Sequence, residues 1–152
     1  MEQKIIKTIT RITQDLLNRL QTQATVTVDQ EEETFNVRLE TEDAGVLIGY
    51  RGRSLQSLQT VLGQLIAKEL GEWKRIVLHV GDYRERREEY LNELASSVAQ
   101  EVIETGADVA IPDLSSYERR LVHMVLAEHP EVISESEGMG KNRRLIVKKR
   151  AS

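Results

Sequence analysis

Between Lys4 and Leu20 the apolar residues Ile5, Ile9, Ile12, Leu16 and Leu20 recur at steps of three and four. At 3.6 residues per turn those steps share one face, so the segment predicts an amphipathic helix. The period then drops to two. Ala24, Val26 and Val28 alternate with threonines, and Phe35, Val37 and Leu39 alternate with polar residues. Successive strand side chains point to opposite faces, so two strands follow, paired as a hairpin around the acidic stretch Asp29 to Glu33. A short helix is expected over Asp43 to Ile48, ended by Gly49. After Gly52, Ser54 is placed to cap a longer helix carrying Leu55, Leu58, Val61, Leu62, Leu65 and Ile66, which Gly71 stops. Ile76, Leu78 and Val80 alternate again and predict a third strand. Residues 1–81 therefore read α-β-β-α-α-β.

The pattern restarts at Gly81-Asp82. Asp82 followed by Glu85 has capping-box spacing, and Leu91, Leu94, Val98 and Val102 continue a long helix to Gly106. Val109 to Ile111 is a short strand closed by Pro112. Ser115 with Glu118 repeats the capping-box spacing and opens a helix with Leu121, Val122, Val125 and Leu126, stopping at Pro130. Strands over Val132 to Ser136 and Arg144 to Lys149 flank a loop rich in Gly and Lys. This half reads α-β-α-β-β. The expected fold class is α+β, in two small domains, 1–81 and 82–152, with little or no linker.

A chain of 152 residues has the length of one domain or two small ones. Its 39% hydrophobic and 30% charged residues describe a globular protein. Zero Cys removes disulfide scaffolds, zinc fingers, Cys nucleophiles and iron–sulfur sites. No apolar stretch is long enough for membrane insertion, and Met1 to Lys7 lacks the apolar run and cleavage site of a leader, so a cytoplasmic location is expected. Aromatic content of 4% leaves little surface for stacking bases.

Charge is informative by position. The chain totals −4, but Lys141 to Arg150 (KNRRLIVKKR) carries +6, so the other 142 residues carry −10. A basic edge on an acidic body suggests a local polyanion contact, and a solvated C-terminal tail fits the composition equally well.

Ile48-Gly49-Tyr50-Arg51-Gly52 sets two glycines three apart between two helices. Without a Cβ the backbone can approach a ligand closely, and the free N–H groups that start the second helix favour an anion. Arg51 and Arg53 add charge where a phosphate would sit. Alone, the motif also fits a plain helix–helix turn. Its place after a helix and two strands and before a third strand resembles the type II KH domain, whose GXXG loop clamps about four backbone nucleotides. That resemblance implies an apolar groove for bases, with Val46, Leu47, Ile48, Leu55 and Val37 as candidate walls, most of which are expected to be core.

Arg119 and His123 stand four apart on one helical face. With Ser115-Ser116-Tyr117-Glu118 before them and Glu137 to Arg144 after, they resemble the Arg-x-x-x-His (R-3-H) domain, a small binder of single-stranded nucleic acid. Arg119 would offer a planar donor fork, His123 a hydrogen bond or a stacking face, and Lys141, Arg143 and Arg144 would extend the cationic surface. A KH-like unit followed directly by an R-3-H unit resembles the bacterial Jag family, also called SpoIIIJ-associated proteins. That family's N-terminal Jag-N module is not among these residues. The resemblance implies a single-stranded RNA-binding regulator linked to cell elongation and division, with single-stranded DNA as an alternative ligand and a small separate KH protein as a heteromer partner. The competing reading is a protein-interaction adaptor in which nucleic acid is incidental.

Enzyme chemistry finds no support. Gly138-x-Gly140-Lys141 lacks the earlier Gly and the following Ser/Thr of a phosphate-binding loop, since Glu135 and Asn142 stand there. No G-x-S-x-G elbow exists, and His79, His123 and His129 are scattered without carboxylates at metal-ligand spacing. No cofactor or metal is expected. His79 reads as structural, on the strand face opposite Ile76, Leu78 and Val80. Arg84 to Glu89 reads as solvated pairing along a helix. Trp73 fits either a core or an interface position.

Overall fold

Glu2–Arg19 forms α1, which buries Ile9, Ile12 and Leu17 together with Thr13, whose hydroxyl donates to the Ile9 carbonyl at 2.7 Å. Leu20 lies beyond the last helical residue and is exposed, so Leu17 rather than Leu20 closes the apolar face. The computed structural model describes residues 1–151. It separates into two compact units, Met1–Arg84 and the remainder from Glu85.

In the first unit β1 (Thr25–Glu31) pairs antiparallel with β2 (Thr34–Glu40), and β3 (Arg75–Val80) lies parallel to β2. The order β1-β2-β3 makes β2 central, and Phe35, Val37 and Leu39 are buried. Glu31 lies opposite Thr34, so the turn is only Glu32-Glu33. The acidic stretch is thus mostly strand. It is tolerated because Asp29 accepts hydrogen bonds from Asn36 at 3.1 Å and from Arg38 at 3.0 Å across the ladder. The Asn36 bond and the Arg38 guanidinium hold the Asp29 carboxyl below the usual aspartate range.

Ala44–Ile48 forms α2, Tyr50–Gly52 a single 3-10 turn, and Arg53–Leu70 α3, ended by Gly71. Leu55, Leu62 and Ile66 of α3 join Ile9 and Leu17 of α1 and the inward residues of β2 and β3 in one apolar core. Arg84 belongs with this unit. Its guanidinium donates to the Leu78 carbonyl at 3.0 Å and to Gln59 at 2.8 Å.

The helix α4 (Tyr83–Thr105) begins with the last two residues of the first unit, and the second unit takes it from Glu85 on with β4 (Val109–Ile111), α5 (Ser116–Ala127), β5 (Val132–Glu137) and β6 (Arg144–Lys149). All pairings are antiparallel in the order β4-β6-β5. Leu91, Ala95 and Val102 of α4, Val122 and Leu126 of α5, and Leu145 and Val147 of β6 form its core. The basic C-terminal stretch is therefore no solvated tail. Six of its residues build the central strand, whose inward positions are apolar while Lys148 reaches Glu135 at 3.6 Å. Among the described residues no helix is long and apolar enough to cross a membrane.

Candidate nucleic-acid interface

The two glycines of the first unit's loop are glycines for separate reasons. Gly49 has φ 68° and ψ −174°, a region that side-chain-bearing residues avoid. A Cβ there would overlap the Ser54 hydroxyl and stand 2.7 Å from the Ser54 Cβ. Gly52, left-handed at φ 76°, lies against Tyr83: an added Cβ would stand 2.9 Å from that hydroxyl and 3.0 Å from its Cε1. The turn is held from outside the motif, by Ser54 on α3 and by Tyr83 near the unit's end. Gly49→Ala is expected to destabilise the first unit by about 2 kcal/mol through the forbidden backbone region and the Ser54 overlap. Faster amide exchange in β2 and β3, with β6 unchanged, would register it.

Ser54 does not cap α3 as its position suggested. Gly52 is the N-cap and no side chain bonds across this terminus, because Ser54 lies one residue inside the helix and packs on Gly49. Arg53 N donates to the Tyr50 carbonyl, and the first turn of α3 has no side-chain acceptor capping it. Tyr50 is 64% exposed and Arg51 and Arg53 are exposed. The Arg51 and Arg53 guanidinium carbons lie 5.1 and 5.5 Å from the Tyr50 ring centroid. Arg51 adopts φ 53° and ψ 31°, left-handed backbone that is uncommon for such a side chain.

The expected groove walls separate on burial. Val37, Leu47 and Leu55 are core residues, 0 to 3% exposed, and cannot meet a ligand. Val46 is exposed and Ile48 half-buried, so those two remain as apolar surface beside the loop. Alternation and helical spacing identify the apolar positions but do not say which of them end inside.

In the second unit the capping box forms in full: Ser115 Oγ accepts from Glu118 N and Glu118 Oε2 accepts from Ser115 N, each at 3.1 Å. It fixes the turn that carries Arg119. That guanidinium is partly committed, donating to the Leu114 carbonyl at 2.8 Å and to Ser116 Oγ at 3.1 Å. With five N–H donors, an arginine so placed is braced and keeps donors for an outside acceptor. His123 is exposed, and its Nδ1 pairs with Ser134 Oγ of β5 at 2.6 Å, which directs Nε2 away from the strand. Ser134 carried no sequence signal, since the contact joins a helix to the strand after it.

The chain reverses between α5 and β5. Moving from His123 towards Arg119 therefore follows the same direction as moving from Ser134 towards the β5–β6 loop. That loop exposes Lys141, Arg143 and Arg144, with Arg143 donating to the Gly138 carbonyl at 3.0 Å.

Two other sequence readings change. Arg84 to Glu89 is not a fully solvated cluster: besides Arg84, Arg87 meets Glu118 at 2.9 Å with side chains only 16% and 12% exposed. Trp73 is 73% exposed and so is not a core residue. His79 is structural, its Nε2 3.1 Å from Asn36 Oδ1.

Residues 6–80 match the KhpA/KhpB KH domain family, and residues 89–149 match the R-3-H domain family. The chain is similar to the RNA-binding protein KhpB of Clostridium symbiosum, 35% identical over 80% of this chain and 55% of that protein. It is 36% identical to KhpB of Lactiplantibacillus plantarum over 82% of this chain and 38% of that one. Against KhpB of Bacillus subtilis it is 30% identical over 80% of this chain and 60% of that protein. The chain thus spans about half the length of the curated relatives it matches. With both domain families matched in the order the fold displays, the chain belongs to the KH plus R-3-H proteins of the Jag family.

Proposed function

We propose that the protein binds single-stranded RNA in the cytoplasm and acts in post-transcriptional control linked to cell elongation and division. The observation that carries this reading is the Gly49–Gly52 turn at the uncapped start of α3, its glycines half-buried and its Tyr50, Arg51 and the following Arg53 exposed. Main-chain amides and the positive helix end take a phosphate there. Val46 and Ile48 give a small apolar surface on which an unpaired base can lie, whereas a duplex keeps its bases stacked inside. In the second unit Arg119, His123, Lys141, Arg143 and Arg144 supply a further backbone contact. Nothing in this mechanism requires a bond to be made or broken, and the relatives' printed names, RNA-binding proteins, agree with it.

Most contacts being ionic, affinity for a labelled single-stranded RNA is expected to fall linearly on a log–log plot against salt. Four phosphate contacts would give a slope of about −2.8. A flat salt response would remove the electrostatic grip from the account. Single-stranded DNA of matched sequence is the companion probe. Equal affinity would mean that the 2′-hydroxyl is not read.

A second reading, the protein-interaction adaptor, is favoured by one observation: Val61 and Leu65 on α3 are 44% and 41% exposed. They offer an apolar surface to a small separate KH protein. Partners that stay bound in pull-downs after nuclease treatment would support it.

A further inference from the structure

We propose that Tyr50 is a positioning residue of the Gly49–Gly52 turn, its ring holding the Arg51 and Arg53 guanidiniums in place to receive a phosphodiester oxygen. This rests on the reading of the turn as a phosphate grip, and adds which residue organises its cations. Three observations meet here. Both guanidinium carbons lie within 5.5 Å of the centroid of one ring. The ring is 64% exposed, so hydrophobic burial does not account for its place in the turn. Arg51 is held in left-handed backbone, which reverses the chain between Tyr50 and Gly52 and lets two residues so close in sequence meet face to ring.

The ring faces are electron-rich and attract a guanidinium most effectively where water is scarce, but they act at the surface as well. Arg53, exposed on this turn, otherwise samples many rotamers, and ordering such a side chain on binding reduces affinity. Holding two guanidiniums against one ring before the ligand arrives removes part of that cost. A tyrosine ring also stacks well on a nucleobase, so the same side chain has two contributions to offer, and salt dependence separates them. If the ring organises cations, removing it lowers the number of phosphate contacts and flattens the salt slope. If it stacks on a base, removing it weakens binding at every salt concentration alike.

The experiment measures anisotropy of a fluorescein-labelled oligouridylate across a salt series with the full chain and its Tyr50→Phe, Tyr50→Leu and Tyr50→Asp/Arg51→Asp variants. Tyr50→Phe keeps the ring face and is expected to stay within about twofold of the parent. Tyr50→Leu is expected to bind about fivefold more weakly, with a salt slope shallower by about 0.7, the share of a single phosphate. A Tyr50→Leu protein that binds like the parent overturns the proposal, as does one that is weaker with an unchanged slope. Loss of binding by the double Asp variant in those same cases leaves the phosphate-grip reading standing. Parental binding by the double Asp variant overturns that reading and this proposal with it.

Discussion

Replacing the two middle residues of the turn, Tyr50→Asp/Arg51→Asp, is expected to weaken single-stranded RNA binding by about 30-fold or more while leaving the fold intact. One charge-assisted contact is worth about 1.5–3 kcal/mol, and the substitution removes a guanidinium and sets two carboxylates where a phosphate would sit. The same change is mild for stability. Both side chains are exposed, and aspartate accepts left-handed backbone better than most residues, so position 51 loses little at φ 53°. The melting temperature is expected to move by no more than about 3 °C, the range of an ordinary surface change. This makes the pair a cleaner probe than replacing the glycines, where packing against Ser54 and Tyr83 would mix folding with binding. Unchanged affinity in the folded variant would take the turn out of the binding surface and leave the second unit to carry it.

The fold was legible because most elements announce themselves locally. The change from a period of three to four into a period of two separates α1 from β1 and β2. Gly49, Gly71 and Gly106 mark helix ends that the structure uses, and Ser115 with Glu118 caps α5 with both expected hydrogen bonds. Each of these signals involves residues only a few positions apart. The basic C-terminal stretch was ambiguous because its charge and its alternation pointed in different directions. Its place between β4 and β5 shows why apolar and cationic residues occur together: Leu145 and Val147 face the core and the cations stay outside.

The site was legible at the motif level and incomplete below it. Gly49 and Gly52 stand out by spacing, but the reason for each lies in a neighbour, and Tyr83 is 31 positions after Gly52. Ser54 departs from its expected capping role because the helix starts at Arg53, two residues earlier than a Ser54 cap requires. Arg119 and His123 share their face as the i, i+4 spacing requires. Ser134, which fixes the His123 ring, comes from another element. Long-range partners of this kind leave no periodic trace, since only the tertiary fold brings them together.

The largest stability effect is expected from the Arg87–Glu118 pair, whose arginine the sequence presented as part of a solvated cluster and whose glutamate it presented as a capping residue. Glu118 serves two partners at once: Oε2 accepts from Ser115 N, and Oε1 accepts from Arg87 Nε at 2.9 Å. Arg87→Leu leaves a carboxylate, in a residue only 9% exposed, with its backbone donor but without its counter-charge. Stranding one member of a buried ion pair costs about 3 kcal/mol or more. In a unit of this size, where total stability is only a few kcal/mol, that is a large share. Amide exchange in α5 and β6 is expected to accelerate by about 100-fold, while β2 of the first unit keeps its parental rate. Glu118→Gln retains an acceptor for the capping box and removes the charge, so alone it is expected to cost about 1 kcal/mol. Adding it to Arg87→Leu should then recover part of the loss, because no unpaired carboxylate remains. A double variant no more stable than Arg87→Leu would mean that the arginine acts by packing its stem and by its approach to Tyr90, 5.1 Å from the guanidinium, rather than by charge.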